Sequence, residues 1–261
     1  MKTALLISTY NWPEALELIL KSVLIQSQFP DEVIIADDGS KEATKELIES
    51  YTEHTKLQIN HIWQEDNGFR KSKVLNKAIA STSCDYIIQI DGDCIMHKDF
   101  VKDHISSAEK GMFLFGSRVN IKKEALSDIL KNGKFQFSFF SGDIGKRTRN
   151  LRIPVLRDNY KSSPLFSSKV RGCNISYWRE DFIKVNGYNE AMEGWGREDS
   201  EFILRVLNKG IQGKRLRYGG IVYHLYHPES SKSNLEDNDK IQQKTIKEKL
   251  VWCEKGVSKY L

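Results

Sequence analysis

The 261-residue chain has no apolar run approaching the ~20 residues of a membrane-spanning helix. Met1-Lys2-Thr3 leads into only a handful of apolar positions before Ser8, Thr9, Tyr10 and Asn11, which is too little for a secretory signal. Cysteine is sparse: Cys84, Cys94, Cys173 and Cys253 are scattered without paired spacing. Neither a zinc ribbon nor a disulfide framework is indicated, and a reducing cytoplasm is the expected setting. The two common phosphate-binding loops are also missing, Gly-x-x-x-x-Gly-Lys-Ser/Thr and a Gly-x-Gly-x-x-Gly after a strand. Any bound phosphate must then be met by a metal and side chains. Excess charge is confined to one place. The net charge is +5, and between Lys146 and Lys161 the cations Lys146, Arg147, Arg149, Arg152, Arg157 and Lys161 stand against Asp158 alone, a local excess of five. A whole-protein field for nucleic acid is therefore excluded, while one basic segment suited to an anionic surface remains.

What is present is an ordinary soluble balance, 39% hydrophobic and 29% charged, in a chain long enough for one large α/β domain. Ala4-Leu5-Leu6-Ile7 reads as a buried strand. Pro13 then opens a helix carrying Ala15, Leu16, Leu18, Ile19 and Val23 at helical spacing. Val33-Ile34-Ile35-Ala36 is a second strand, Lys41 to Tyr51 a charged helix, Leu57 to Trp63 a third strand, Lys71 to Ala80 a helix, and Asp85 to Ile90 a fourth strand. This rhythm predicts a mostly parallel central sheet with helices on both faces. Ligands of such sheets bind at the carboxyl ends of the strands. That rule gathers Thr9, Tyr10, Asn11, Asp38, Asn67, Gly68, Asp91 and Asp93 around one nucleotide-sized crevice.

The fourth strand ends in Asp91-Gly92-Asp93. Two carboxylates at i, i+2 repel each other and favour a divalent cation that could carry a diphosphate. The plainer alternative is an Asp-Gly turn. Asp38-Gly39-Ser40 likewise serves as a turn and helix N-cap if it serves nothing else.

Ile7-Ser8-Thr9-Tyr10-Asn11, Ala36-Asp37-Asp38-Gly39-Ser40, Asn67-Gly68-Phe69 with Asn76, and Asp91-Gly92-Asp93 resemble, in order and spacing, the motifs of family 2 glycosyltransferases with the GT-A nucleotide-sugar fold. The resemblance covers roughly the first 120 residues. It implies a nucleotide-binding set of Thr9, Tyr10, Asn11, Asp38, Asn67, Gly68, Arg70 and Asp91, with Asp38 at the base and Asp91 at ribose and metal. Asp93 is implied as a ligand of a divalent ion, Mn2+ or Mg2+.

Further on, Gly194-Trp195-Gly196-Arg197-Glu198-Asp199 is similar to the Gly-Trp-Gly-x-Glu-Asp motif of β-1,4-galactosyltransferases, polypeptide N-acetylgalactosaminyltransferases and bacterial chondroitin-type polymerases. By that resemblance Asp199 is the catalytic base, and Trp195, Gly196 and Glu198 bind the acceptor. The same acids also suit the first turn of a helix through Phe202, Ile203, Val206 and Leu207. Beyond a last strand, His224 and His227 stand at i, i+3, where either could complete a metal site with Asp93. His224 is the one favoured here.

The resulting layout is a single domain over 1–261: a nucleotide-sugar half at 1–120, a variable aromatic and basic segment at 121–170, an acceptor half at 171–230 and a helical tail at 231–261. Phe135, Phe137, Phe139 and Phe140 precede the basic run, an order suited either to peripheral contact at the inner face of a membrane or to core filling beside a solvated loop. Ile241, Ile246, Leu250 and Val251 lie roughly at helical spacing, as in a packing helix. The function this implies is inverting, metal-dependent transfer of a sugar from a nucleotide sugar, taken to be a UDP-sugar, to a glycan or lipid-linked hydroxyl. The rivals are a sugar-phosphate nucleotidyltransferase and a non-catalytic glycan-binding scaffold.

Overall fold

The computed structural model describes residues 1–228 and 234–261. Strand β1 (Thr3–Thr9) is buried along its whole length. Successive side chains of a strand point to opposite faces, and here both faces are covered. Ala4 and Leu6 enter one core, and Leu5 and Ile7 enter another. A continuous apolar run is what such double coverage demands. Helix α1 (Pro13–Leu24) carries its proline in the first turn and buries Leu16, Ile19, Leu20 and Val23 under the sheet. Then follow β2 (Glu32–Asp37), α2 (Glu42–His54), β3 (Ile59–Trp63), α3 (Lys71–Ala80) and β4 (Tyr86–Asp91). The strands β3, β2, β1 and β4 lie side by side, all parallel, as the alternating pattern predicts.

Past β4 the regular alternation stops. The chain runs through β5 (Cys94–Met96), α4 (Phe100–Ser107), β6 (Met112–Phe115), β7 (Ser117–Ile121), α5 (Leu126–Asn132), β8 (Ile144–Gly145), α6 (Pro154–Asp158) and β9 (Ser162–Ser163). It continues with β10 (Asn174–Trp178), α7 (Arg179–Lys184), α8 (Glu198–Asn208), β11 (Gln212–Arg215), β12 (Ile221–His224) and α9 (Leu235–Glu248). Strand β10 inserts antiparallel between β4 and β6, so the main sheet is mixed beyond its first four strands. The strand arrives by a long irregular connection instead of a βαβ crossover, so its direction is not held to that of β4. A smaller sheet in the order β5-β12-β7-β8 places His224 opposite Cys94 and Asn120.

The basic segment is partly an internal structure. Arg152 Nη2 and Arg157 Nη1 converge on Asp103 Oδ1 at 2.7 and 2.8 Å, and Arg152 also meets Asp99 at 3.4 Å. Arg157 and Asp103 are buried, so these cations anchor the segment to α4 and are not all available to a surface. The phenylalanines divide as well: Phe137 packs in the core of the small sheet, Phe135 leans on it, and Phe140 is 83% exposed.

The tail helix α9 packs on α8 by a polar face, not by the predicted apolar stripe. Asn238, Gln242 and Thr245 are buried, whereas Ile246 is 46% exposed. Asn238 Nδ2 donates to the carbonyls of Glu193 and Gly196, Gln242 Nε2 to Ser200 Oγ, and Thr245 Oγ1 to Glu201 Oε1 at 2.9 Å. The first turn of α8 offers hydrogen-bonding groups to be covered, and polar side chains satisfy them where apolar ones would strand them.

Beneath that contact, Arg205 and Glu201 form a buried pair, with 2.8 Å between Arg205 Nε and Glu201 Oε1 and exposures of 0% and 1%. Arg205 also donates to the carbonyls of Val185 and Gly187. Removing one member of such a pair leaves an uncompensated buried charge, so Glu201→Ala is expected to cost ~3 to 5 kcal/mol of stability. Urea unfolding of the two proteins measures it, and a cost under about 1 kcal/mol would contradict this account of the pair.

Candidate active site

The carboxyl ends of β1, β2 and β4 and the start of α8 face one cleft of about 1080 Å³. Thr9, Tyr10, Asp38, Asp91, Asp93, Trp195, Gly196, Glu198, Asp199 and His224 all line it. Asn11, Asn67, Gly68 and Arg70 are not among its lining residues. Asn11 turns away and accepts from the Lys41 amide through Oδ1 at 2.9 Å, which closes the approach to α2. Asn67 and Gly68 form an exposed turn. Arg70 sits behind Asp38: its amide donates to Asp38 Oδ2 at 2.7 Å, while its own buried Nε has no partner. Burial pushes the Asp38 carboxyl up, against the bonds from Gln64 Nε2 and the Arg70 amide.

The two aspartates of Asp91-Gly92-Asp93 have different partners. Asp91 Oδ1 accepts from Ser8 Oγ at 2.8 Å and pairs with Lys71 Nζ at 2.6 Å. Burial would lower the Lys71 ammonium, but Asp91, Asp199 and Glu198 together raise it well above its usual value. Lys71 is thus a cation shared by both carboxylate groups of the cleft, and sequence reasoning had given it only a helix position. The tight approach of the strand end also explains Gly92, since a Cβ there would lie 2.8 Å from the Ser8 carbonyl oxygen.

Asp93 points the other way. His224 Nε2 and His227 Nε2 lie 3.4 and 3.1 Å from Asp93 Oδ2. Burial would raise this carboxyl, yet the hydrogen bond from His227 and the charge of His224 hold it at about 2. Both histidines that the sequence left in competition reach the same carboxylate. The donor atoms of Asp93, His224 and His227 fall within 4.8 Å of one another, a set able to hold a metal ion. One carboxylate and two imidazoles suit Mn2+ better than Mg2+, which prefers oxygen ligands.

Across the cleft, Glu198 and Asp199 open α8. Glu198 Oε2 accepts from the Gly196 amide at 2.9 Å, and Asp199 Oδ2 accepts from the Gly172 amide at 2.8 Å. Gly172 has no room for a side chain, because a Cβ would fall on the Asp199 carboxylate. Behind Asp199 lies a polar relay that the sequence reading missed. Tyr177 donates to Gln89 Oε1 at 2.7 Å and Gln89 Nε2 donates to Tyr188 Oη at 2.9 Å. The Tyr188 hydroxyl has two acceptors in reach, Gln89 Oε1 at 3.0 Å and Asp199 Oδ1 at 3.4 Å. Gln89 in the otherwise apolar run of β4 was the available signal. Asn76, quoted within a motif, instead clamps the backbone of Tyr188 from both sides.

Burial, and then the Asp199 charge, push Glu198 up to about 7. Asp199 is raised by burial as well, with Lys71 opposing. A carboxyl raised on folding binds its proton more tightly in the folded state, so its contribution is intact below pH ~4.5 and is lost as pH rises toward 7. Glu198→Gln should therefore gain up to about 3 kcal/mol over the native protein at pH 8 and little at pH 4.5. Unfolding curves at the two pH values would show it, and an equal effect at both would contradict a raised Glu198.

Comparison with known proteins agrees with this architecture. Residues 4–169 match the model of glycosyl transferase family 2, and residues 155–228 match that of the N-terminal domain of galactosyltransferase. The chain belongs to glycosyltransferase family 2. It is 26% identical to the chondroitin synthase of Pasteurella multocida (strain Pm70), over 95% of this chain and 27% of that protein. It is 26% identical to the hyaluronan synthase of Pasteurella multocida, over 90% of this chain and 25% of that protein. The chain therefore spans about a quarter of the length of these relatives. Among solved structures, S. aureus TarS 1-349 in complex with UDP superposes with a TM-score of 0.63 at 16% identity, over 93% of this chain and 64% of that one. The mannosyltransferase PcManGT of Pyrobaculum calidifontis in complex with GDP-Man and Mn2+ gives 0.59 at 15%, over 85% and 56%. These likenesses establish the GT-A fold.

Proposed function

We propose that this chain transfers a sugar, with inversion, from a UDP-sugar to a hydroxyl of a glycan acceptor, with Asp199 as the base. The observation that carries the reading is the single cleft in which Asp91 and Asp93 at the end of β4 face Glu198 and Asp199 at the start of α8. Support for a uridine nucleotide is the likeness to a structure named as a UDP complex. A nucleotidyltransferase usually carries a glycine-rich first loop, and Ser8 to Pro13 lacks one.

Asp93, His224 and His227 would hold a divalent ion, which supplies neutralisation of the leaving diphosphate. Asp91 keeps Oδ2 for the ribose and the ion, since Ser8 and Lys71 both bond Oδ1. Lys71 adds a second positive charge near the phosphates. On the acceptor side, Trp195 offers its indole to a sugar ring and Glu198 orients a hydroxyl. Asp199, held by Gly172 and Tyr188, takes the hydroxyl proton as the oxygen attacks the anomeric carbon from the face opposite the diphosphate. A carboxylate raised by burial is a stronger base than one in water. Direct displacement of this kind passes through no covalent intermediate and inverts the centre. Peripheral membrane contact through residues 135–161 is supported by exposed Phe140, Lys146 and Arg147.

Two measurements test this reading. Asp199→Asn should lower the transfer rate by ~10²-fold or more, mainly in kcat, with UDP affinity unchanged. A near-native rate would remove Asp199 as the base and favour the scaffold reading. In calorimetry, UDP should bind more tightly with Mn2+ present, and Asp93→Ala should abolish that gain. UDP affinity indifferent to Mn2+ in the native protein would dismiss the metal role.

A further inference from the structure

Most arginines of this protein are used internally. Arg152 and Arg157 meet Asp103, Arg197 meets Asp239, Arg205 meets Glu201, and Arg179 donates to the carbonyls of Ile79 and Ala80. Arg70, Arg147, Arg171 and Arg179 bond main-chain carbonyls without an acidic partner, and among the described residues no acidic side chain pairs with Arg118, Arg149, Arg215 or Arg217 either. These last four are also neighbours. Arg215, in β11, is in register with Phe115 of β6, and the next residue is held there by the Leu216 amide bonding to the Phe115 carbonyl at 2.9 Å. This runs Arg215 to Arg217 alongside the link from β6 to Arg118 in β7. Arg149 Nη1 donates to the Arg118 carbonyl at 3.0 Å.

All four side chains are half-buried, and Arg215 Nε and Arg217 Nη1 are buried without partners. Burial and the like charges of Arg217 and Arg149 lower the Arg215 guanidinium, as expected of cations crowded together with no counter-charge. Half-buried guanidinia without a counter-charge are eased when an anion joins them. Guanidinium forks match carboxylate, phosphate and sulfate oxygens in particular.

The cluster leads into the cleft. Arg118 and Asn120 lie two apart on β7, both line the cleft, and Asn120 is in register with His224. Asn120 Oδ1 is buried there without a partner. At the outer end, the Tyr160 and Tyr218 rings stand 6.4 Å apart, and Arg217 lies over the Tyr218 ring at 4.7 Å. Flat rings beside guanidinia suit a charged sugar. A flat membrane would meet protruding groups first, such as Phe140, Val155 and Leu165, which are 76 to 83% exposed, and not these recessed cations.

We propose that Arg118, Arg149, Arg215 and Arg217 form a track for the oxyanion groups of an anionic acceptor glycan whose reacting hydroxyl lies in the cleft. The acceptor role rests on the transferase reading above; the anion site itself does not. The test is calorimetric titration of the full chain with an oligogalacturonate, an uncharged maltooligosaccharide of equal length, and phosphatidylglycerol vesicles, with UDP and Mn2+ titrated in parallel. The charged oligosaccharide should bind in a salt-sensitive way and the neutral one at least tenfold more weakly. Arg215→Gln/Arg217→Gln should lose at least tenfold in affinity for the charged ligand with UDP binding unchanged, and Arg215→Lys/Arg217→Lys should retain part of it. Thermal unfolding shows whether each variant is folded, and Arg217→Gln alone serves if the double variant is not. Equal binding of charged and neutral oligosaccharides, native affinity in the folded Gln variant, or capture by vesicles alone would each overturn the proposal. A normal oligogalacturonate result with no UDP binding would instead count against the donor reading and leave the anion site standing.

Discussion

Strand β4 is hydrogen-bonded on both sides, parallel to β1 and antiparallel to β10, and the remaining geometry of the site depends on that double pairing. On its first side it sets Asp91 against Ser8. On its other side it brings in β10, and with it the segment Gly172 to Asn174 that receives Asp199. Gln89 in the middle of the same strand supports both arrangements, bonding Tyr177 of β10 and Tyr188 of the following turn. One strand therefore joins the acids at its own carboxyl end to the acids that open α8, and the distance between the two groups follows from sheet spacing instead of loop flexibility.

The site is costly electrostatically. Asp91, Asp93, Glu198 and Asp199 share one cleft, where Lys71, His224 and His227 bond them directly or act on their charge and Arg118, Arg171 and Arg197 also line the wall. Lys71 is tied to Asp91 yet felt by the acids of α8, so the charge of one half of the cleft is coupled to that of the other. Glu198 is raised first by its burial and then by the charge of Asp199. Such unfavourable burial is carried by the cores on both faces of the sheet and by the Glu201 and Arg205 pair that anchors α8 from below. A helix that begins with carboxylates in a polar cleft is held in place by its buried far side.

The basic segment shows the same division of labour. Arg152 and Arg157 fasten it to α4 through Asp103, which leaves Arg149 free to lie beside Arg118, Arg215 and Arg217. Net charge in a stretch of sequence thus splits into internal ion pairs, a recessed Arg149 and exposed Lys146, Arg147 and Lys161, roles that residue counting treats alike.

The strand and helix order of the first half was legible in the chain itself, because doubly covered parallel strands must be continuously apolar and their helices must be amphipathic. The acids at the strand ends were legible for a related reason: charges stand out where an apolar run stops. The Gly-Trp-Gly-Arg-Glu-Asp stretch stood out through its resemblance to a galactosyltransferase-type motif. The placement of β10 was decided only in three dimensions, since nothing local records which edge of the sheet a strand after a long connection will join. The same holds for Lys71, Gly172 and Tyr188, whose roles come from neighbours distant along the chain. The choice between His224 and His227 was undecidable by counting because the backbone beyond β12 brings both rings to Asp93. The polar face of α9 was likewise hidden, since only the folded α8 shows that its first turn needs hydrogen bonds and not methyl groups.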